Sequence, residues 1–145
     1  MQDLPHHYKV AATAGPDGDV QLAGDGITEI RSAPPAEFGG PGDRWSPETL
    51  LVAAVADCFV LSFRAIARAS KFSWIALSCE VEGTLARHDG TTKFTEFMVH
   101  GNLTVPQDTN RERAHRLLVK AEETCLITNS LSGETHLDAV ISEGS

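Results

Sequence analysis

The chain has little of what marks a secreted, nucleic-acid-binding or nucleotide-clasping protein. Three cysteines in 145 residues, at positions 58, 79 and 125, are too few and too odd in number for a disulfide framework. Reduced thiols in a cytoplasm are therefore expected, and each cysteine matters for its chemistry. Basic residues are outnumbered, 12 against 20 acids, and a net charge of −8 repels the phosphates of nucleic acid and of anionic lipid. The opening residues, Met1 to His7, lack a basic segment leading into an apolar one, so no export signal is expected. The longest apolar run, Leu50 to Phe63, is interrupted by Asp57 and falls short of the ~20 residues a membrane span needs. There is no GxxxxGK[ST] phosphate loop, no GxSxG elbow and no GxGxxG after a strand. The six histidines have neither HExxH nor Cys/His zinc spacing, which argues against a metal.

What is present reads as one globular domain, residues 1–145, with 41% apolar and 22% charged residues, enough to build a core. Tyr8 to Ala14 reads as a strand, Gly15-Pro16-Asp17-Gly18 as a turn, and Val20 to Ala23 as the returning strand. Ile27 to Arg31 follows as a third. Ser32 to Asp43, with Pro34-Pro35 and Gly39-Gly40-Pro41-Gly42, reads as a flexible loop. Ser46-Pro47-Glu48 opens a helix with an N-cap, a proline at the first position and an acid in the first turn. That helix should reach about Ala69, and its first half, Leu50 to Ala56, is apolar all round, as in a helix enclosed by protein. Ser73 to Ala86 and Lys93 to Val105 read as a hairpin about His88-Asp89-Gly90. Thr109 to Glu112 matches a capping box for a second helix, whose stripe Ala114, Leu117, Leu118 and Ala121 continues to Cys125. Thr135 to Ser142 alternates as a last strand. Hairpins rather than βαβ crossovers make this an α+β chain.

Local physics assigns Cys58, in the most apolar segment, first to the core, and Cys79, alternating with Ile75 and Leu77, more firmly so. Cys125 invites the same reading. If Cys58 and Cys125 meet on inward helix faces, however, the pair suits peroxide chemistry. A thiolate cleaves the O–O bond, becomes a sulfenic acid, and condenses with a second thiol. Burial alone would keep Cys58 a thiol, so a neighbouring cation is expected. Glu48 suits the helix dipole without further explanation. It precedes Cys58 by ten residues, about 15 Å along a helix, so the two share a site only if Glu48 comes from a second copy.

The run Phe38-Gly39-Gly40-Pro41-Gly42-Asp43-Arg44-Trp45-Ser46-Pro47-Glu48-Thr49-Leu50-Leu51, followed by Ala53-Ala54-Val55-Ala56-Asp57-Cys58-Phe59, resembles the signature of the OsmC/Ohr proteins, the osmotically inducible and organic-hydroperoxide-resistance proteins. Ala121 to Leu131, around Cys125, resembles the family's Cys-Pro-x-Ser-Asn segment, and the likeness spans essentially the whole chain. It implies an intertwined α+β homodimer with two long central helices packed against curved antiparallel sheets. It also implies a thiol peroxidase that reduces organic hydroperoxides without a cofactor and is reset by an external dithiol of lipoyl type. Carried over by position, Cys58 is the peroxidatic cysteine, Cys125 the resolving one, and Glu48 the acid that orients an activating arginine. That arginine's usual places hold Pro16 in the first hairpin, or Glu37 and Phe38 before the helix. Arg31 and Arg44 are the nearest substitutes, Arg44 being also able to pair with Glu48, and Leu126 replaces the usual proline. The likeness is thus to a divergent subgroup. A reading from another class is a non-catalytic dimer binding an apolar small molecule in the same pocket. A Cys58 hydrolase lacks a histidine at any partner spacing.

Overall fold

The computed structural model describes residues 1–144. The chain forms two compact units, Met1–Leu51 and Val52–Ser145, and each contains a three-stranded sheet.

In the first unit β1 (Ala11–Thr13), β2 (Val20–Gly24) and β3 (Ile27–Ser32) form an antiparallel meander. β1 is shorter than the expected Tyr8 to Ala14, because all of residues 1–14 are exposed and offer no buried face to extend a strand. The Pro/Gly segment after β3 is a loop, as expected, and it folds back on itself through backbone hydrogen bonds. Phe38 and Gly40 both donate backbone bonds to the Pro35 carbonyl, and Ala33 donates to that of Trp45 at 2.8 Å. A Cβ on Gly40 would lie 1.7 Å from the Pro34 oxygen, so the fold-back admits only glycine there. A single 3-10 turn, Ala36–Phe38, sits inside it.

Helix α1 (Pro47–Ala69) starts where Ser46-Pro47 predicts. The Ser46 hydroxyl accepts the Thr49 N–H at 3.1 Å, while the Thr49 hydroxyl accepts the Ser46 N–H at 2.8 Å, a reciprocal cap with threonine in the usual Glu/Gln place. The enclosed helix expected from Leu50 to Ala56 is not what one chain provides. Only the stripe Val55, Phe59, Phe63 and Ala67 is buried, and Leu61 on the opposite side remains 48% exposed. At 23 residues α1 is also long and apolar enough to cross a membrane by length and composition, beyond the shorter Leu50 to Phe63 run. Its buried stripe, however, lies against protein.

In the second unit β4 (Ala76–His88) and β5 (Thr91–Pro106) pair antiparallel through a two-residue turn, Asp89 and Gly90, both at positive φ. β6 (Glu134–Gly144) then pairs with β5 in parallel. This overturns the expectation of hairpins alone. Parallel pairing requires a crossover, and helix α2 (Arg111–Glu123) supplies it. Central β5 buries Phe97, Val99, Leu103 and Val105, and α2 buries Ala114, Leu118 and Ala121. Burying each larger side chain contributes roughly 1.5–3 kcal/mol. Two glycines let α1 lie close over this sheet: a Cβ on Gly101 would stand 3.4 Å from the Phe59 ring, and one on Gly83 2.9 Å from Val52. Phe63 meets Phe72 and Trp74 edge-on, at 6.4 and 5.4 Å between ring centres. The α2 cap is Asn110, whose side chain accepts the Arg113 N–H at 3.0 Å, rather than Thr109, whose hydroxyl is spent on the Pro106 carbonyl. Arg113 ties α2 to the end of α1, donating to the Ser70 carbonyl and lying 5.3 Å above the Phe72 ring.

Candidate functional site

Cys125 is not the last residue of α2, as its stripe suggested. Thr124 ends that helix by donating both its N–H and its hydroxyl to the Lys120 carbonyl. Cys125 then takes an extended conformation (φ −63°, ψ 116°) as the residue before a four-residue helix α3 (Leu126–Asn129). Free of α2, it is 1% exposed and near enough to Cys58 for each thiol to shift the other.

The two thiols are unequal. Burial pushes the Cys58 thiol up, but four donors aimed at its sulfur outweigh burial and leave it below the usual cysteine value. These are the Ile127 N–H, the Cys125 thiol, the Ser62 hydroxyl and the Leu126 N–H. Ser62 lies one helical turn on from Cys58, its oxygen 3.9 Å from the sulfur. Cys125 moves the other way, raised by burial and by the neighbouring Cys58, with Thr128 opposing the rise only in part. Cys58 is therefore the more acidic thiol of the pair, and Cys125 the one that holds its proton more firmly. The expected cation takes no part in lowering Cys58; hydrogen-bond donors do that work.

Sequence reasoning missed the donors of α3. The signal was in view at Leu126: proline at that position has no N–H, and leucine has one. The replacement thus adds a donor to a thiol lacking a nearby arginine in its usual places.

Cys79 is half-buried on the inner face of β4, as its alternation predicts. Its thiol is pushed up to about 11, by burial first and then by the electrostatic influence of the neighbouring Cys125. Such a group stays protonated and unreactive at neutral pH.

Glu48 belongs to the first unit. Its Oε1 is buried and, among the described residues, has no hydrogen-bond partner. It lines a cavity of about 510 Å³ whose other walls include Val20, Leu22, Ala33, Pro35 and Phe38. Arg44 does not pair with it. The Arg44 guanidinium is held by Asp19 at 3.1 Å and by Asp43 at 3.5 Å. Those acids flank it outside the helix, and the Glu48 Oε1 stays buried without them. Arg31 is exposed on β3. Among the described residues no group of three or more His, Cys, Asp or Glu is placed to hold a metal.

Known proteins share this arrangement of elements. The chain is 26% identical over 135 residues to the uncharacterized protein YmaD of Bacillus subtilis (strain 168), spanning 91% of this chain and 90% of that protein. The fold matches an organic hydroperoxide resistance protein OsmC from Legionella pneumophila with a TM-score of 0.75 at 27% identity, over 97% of this chain and 99% of the other. It matches an OsmC-like protein of unknown function from Vibrio cholerae more closely in shape, with a TM-score of 0.87 at 17% identity, over 94% and 100%. The family model described as OsmC-like protein covers residues 40–139, which takes in Glu48, Cys58, Cys79 and Cys125. The chain belongs to the OsmC-like proteins, within the OsmC/Ohr family.

Proposed function

We propose that this protein reduces organic hydroperoxides through Cys58 and Cys125. One observation carries the reading: two neighbouring thiols, one with its pKa lowered and the other with its pKa raised. Peroxide reduction needs that asymmetry. The Cys58 thiolate attacks a peroxide oxygen, the O–O bond breaks, and the alkoxide takes a proton to leave as an alcohol. Cys58 is then a sulfenic acid, two electrons oxidised. The Cys125 sulfur attacks it, water leaves, and a Cys58–Cys125 disulfide remains. An external dithiol reduces that disulfide and is itself oxidised.

The unburied side of α1 supports the homodimer that goes with this reading. Ala54, Leu61 and Ala65 face away from the buried stripe, beside the exposed Asp57, Arg64 and Arg68, and the apolar residues among them gain by packing on a twofold mate. Since about 15 Å of helix separates Glu48 from Cys58, a shared site draws Glu48 from the second copy.

One equivalent of cumene hydroperoxide followed by mass spectrometry tests the chemistry. A Cys58–Cys125 disulfide and loss of turnover in Cys58→Ser are expected. Two untouched thiols, or full activity in that variant, would refute it. The non-catalytic binding reading is favoured by the Glu48 cavity alone, and gives no reason for the unequal thiols.

A further inference from the structure

We infer that the Ser62 hydroxyl is a catalytic group of this site: it donates a hydrogen bond to the leaving oxygen of the peroxide as the O–O bond breaks. The inference deepens the reading of Cys58 as the peroxide-attacking thiol and rests on it. Two observations on α1 carry it. The first is position. Ser62 stands one turn on from Cys58, on the same side of the helix, with its Oγ 3.9 Å from the Cys58 sulfur. Both residues keep some exposure, unlike Cys125. The second is what the hydroxyl does not do. A serine or threonine in a helix commonly gives its hydrogen to a carbonyl of the preceding turn. The hydroxyls of Thr124, Thr128 and Ser130 are spent in that way. That of Ser62 is not: among the described residues its one hydrogen bond is the long one to sulfur.

The reaction needs a donor that follows charge. The Cys58 thiolate attacks the terminal peroxide oxygen, an S–O bond forms, and the O–O electron pair departs on the distal oxygen. RS⁻ and HO–OR thus become RS–OH and RO⁻, and RO⁻ takes a proton from water to leave as the alcohol, with hydroxide left behind. Negative charge moves from sulfur to a nearby oxygen during this step. The N–H groups of Leu126 and Ile127 are fixed in the backbone and favour the thiolate, so they stabilise the state before attack. A serine hydroxyl turns its hydrogen from sulfur to oxygen by rotating about one C–O bond, with no heavy atom displaced. An O–H···O bond spans about 2.7 Å, so a hydroxyl standing 3.9 Å off the sulfur reaches an oxygen lying beside it.

Rapid-quench oxidation of the reduced whole protein by cumene hydroperoxide, with Cys58 followed by mass spectrometry, tests this. Native protein and Ser62→Ala are compared at a pH where alkylation of Cys58 by iodoacetamide has reached its plateau in both, so that the supply of thiolate no longer differs. Ser62→Ala should there be alkylated as fast as the native protein, because that reaction releases iodide and no alkoxide. Its oxidation by cumene hydroperoxide should be slower by about tenfold or more, as for a lost oxyanion donor. Peroxyacetic acid, whose leaving group is an already stable carboxylate, should oxidise the two proteins at similar rates. Ser62→Thr, which keeps a hydroxyl, should recover most of the native rate. Equal plateau oxidation of Ser62→Ala and native protein by cumene hydroperoxide would overturn the inference and leave the peroxidase reading standing, with Ser62 acting on thiol acidity alone. Equal slowing with peroxyacetic acid would overturn it too, by placing the defect in attack and not in departure of the alkoxide. If native Cys58 is not oxidised by any of these peroxides, the inference falls together with the reading beneath it.

Discussion

At Cys58 two effects of opposite sign compete, and the donors win over burial. The Leu126 N–H and the Ser62 hydroxyl can each be removed by one substitution. Leu126→Pro and Ser62→Ala should both move the pH midpoint of Cys58 alkylation by iodoacetamide upward, with Cys58 followed by mass spectrometry. An unmoved midpoint in both variants would show that neither donor reaches the sulfur. Cys79 offers a test through stability. Its native value, about 11, lies above the ordinary 9.0, so the folded chain keeps a proton that the unfolded chain gives up. Stability from this source is whole below pH 9 and is lost as pH rises toward 11. The urea midpoint should therefore fall over that range more steeply in the native sequence than in Cys79→Ala. Cys79 should also resist iodoacetamide at neutral pH while Cys58 reacts.

At the scale of elements, α1 lies close over the second sheet because Gly83 and Gly101 present no side chains beneath it. Gly83 is the tighter seat, with Val52 at 2.9 Å and the Phe94 ring at 3.1 Å from a would-be Cβ. Gly83→Val should cost about 1–3 kcal/mol by overpacking, read as a lower urea midpoint at unchanged slope. Gly101→Ala, facing Phe59 at 3.4 Å, should be milder. If the two cost the same, close approach at Gly83 is not what seats the helix. The crossover through α2 has the further consequence of delivering Cys125. A hairpin between β5 and β6 would leave no helix end to carry it, so the parallel pairing of these strands and the thiol pair are linked.

For the whole molecule, one helix side is the deciding feature. A single chain buries the Val55 stripe of α1 and leaves Leu61 half exposed on the other side. Sedimentation should show a dimer for the native sequence. Leu61→Glu should shift it toward monomer, since a charge at a packed apolar interface is costly to desolvate. If Leu61→Glu sediments as the native protein does, α1 is not the interface. If Glu48 serves the Cys58 of a second copy, the same variant also loses peroxide turnover in proportion to the dimer lost.

Sequence by itself determined the elements whose causes are local. Ser46-Pro47 starts α1 because a hydroxyl cap and a fixed φ act within one turn, and Asp89-Gly90 makes the hairpin because two positive φ values are needed there. The run around Cys58 and the segment after Cys125 sufficed to indicate the family. Three things depended on residues far apart in the chain. The parallel pairing of β5 and β6 was one, since strand alternation is the same in either direction. The donors around Cys58 were another, because N–H groups of Leu126 and Ile127 lie almost seventy residues from the sulfur they face. The third was the fate of the charges at the start of α1. Spacing allowed Arg44 to pair with Glu48, but folding placed Asp19 beside that guanidinium and left one Glu48 oxygen buried with no partner among the described residues.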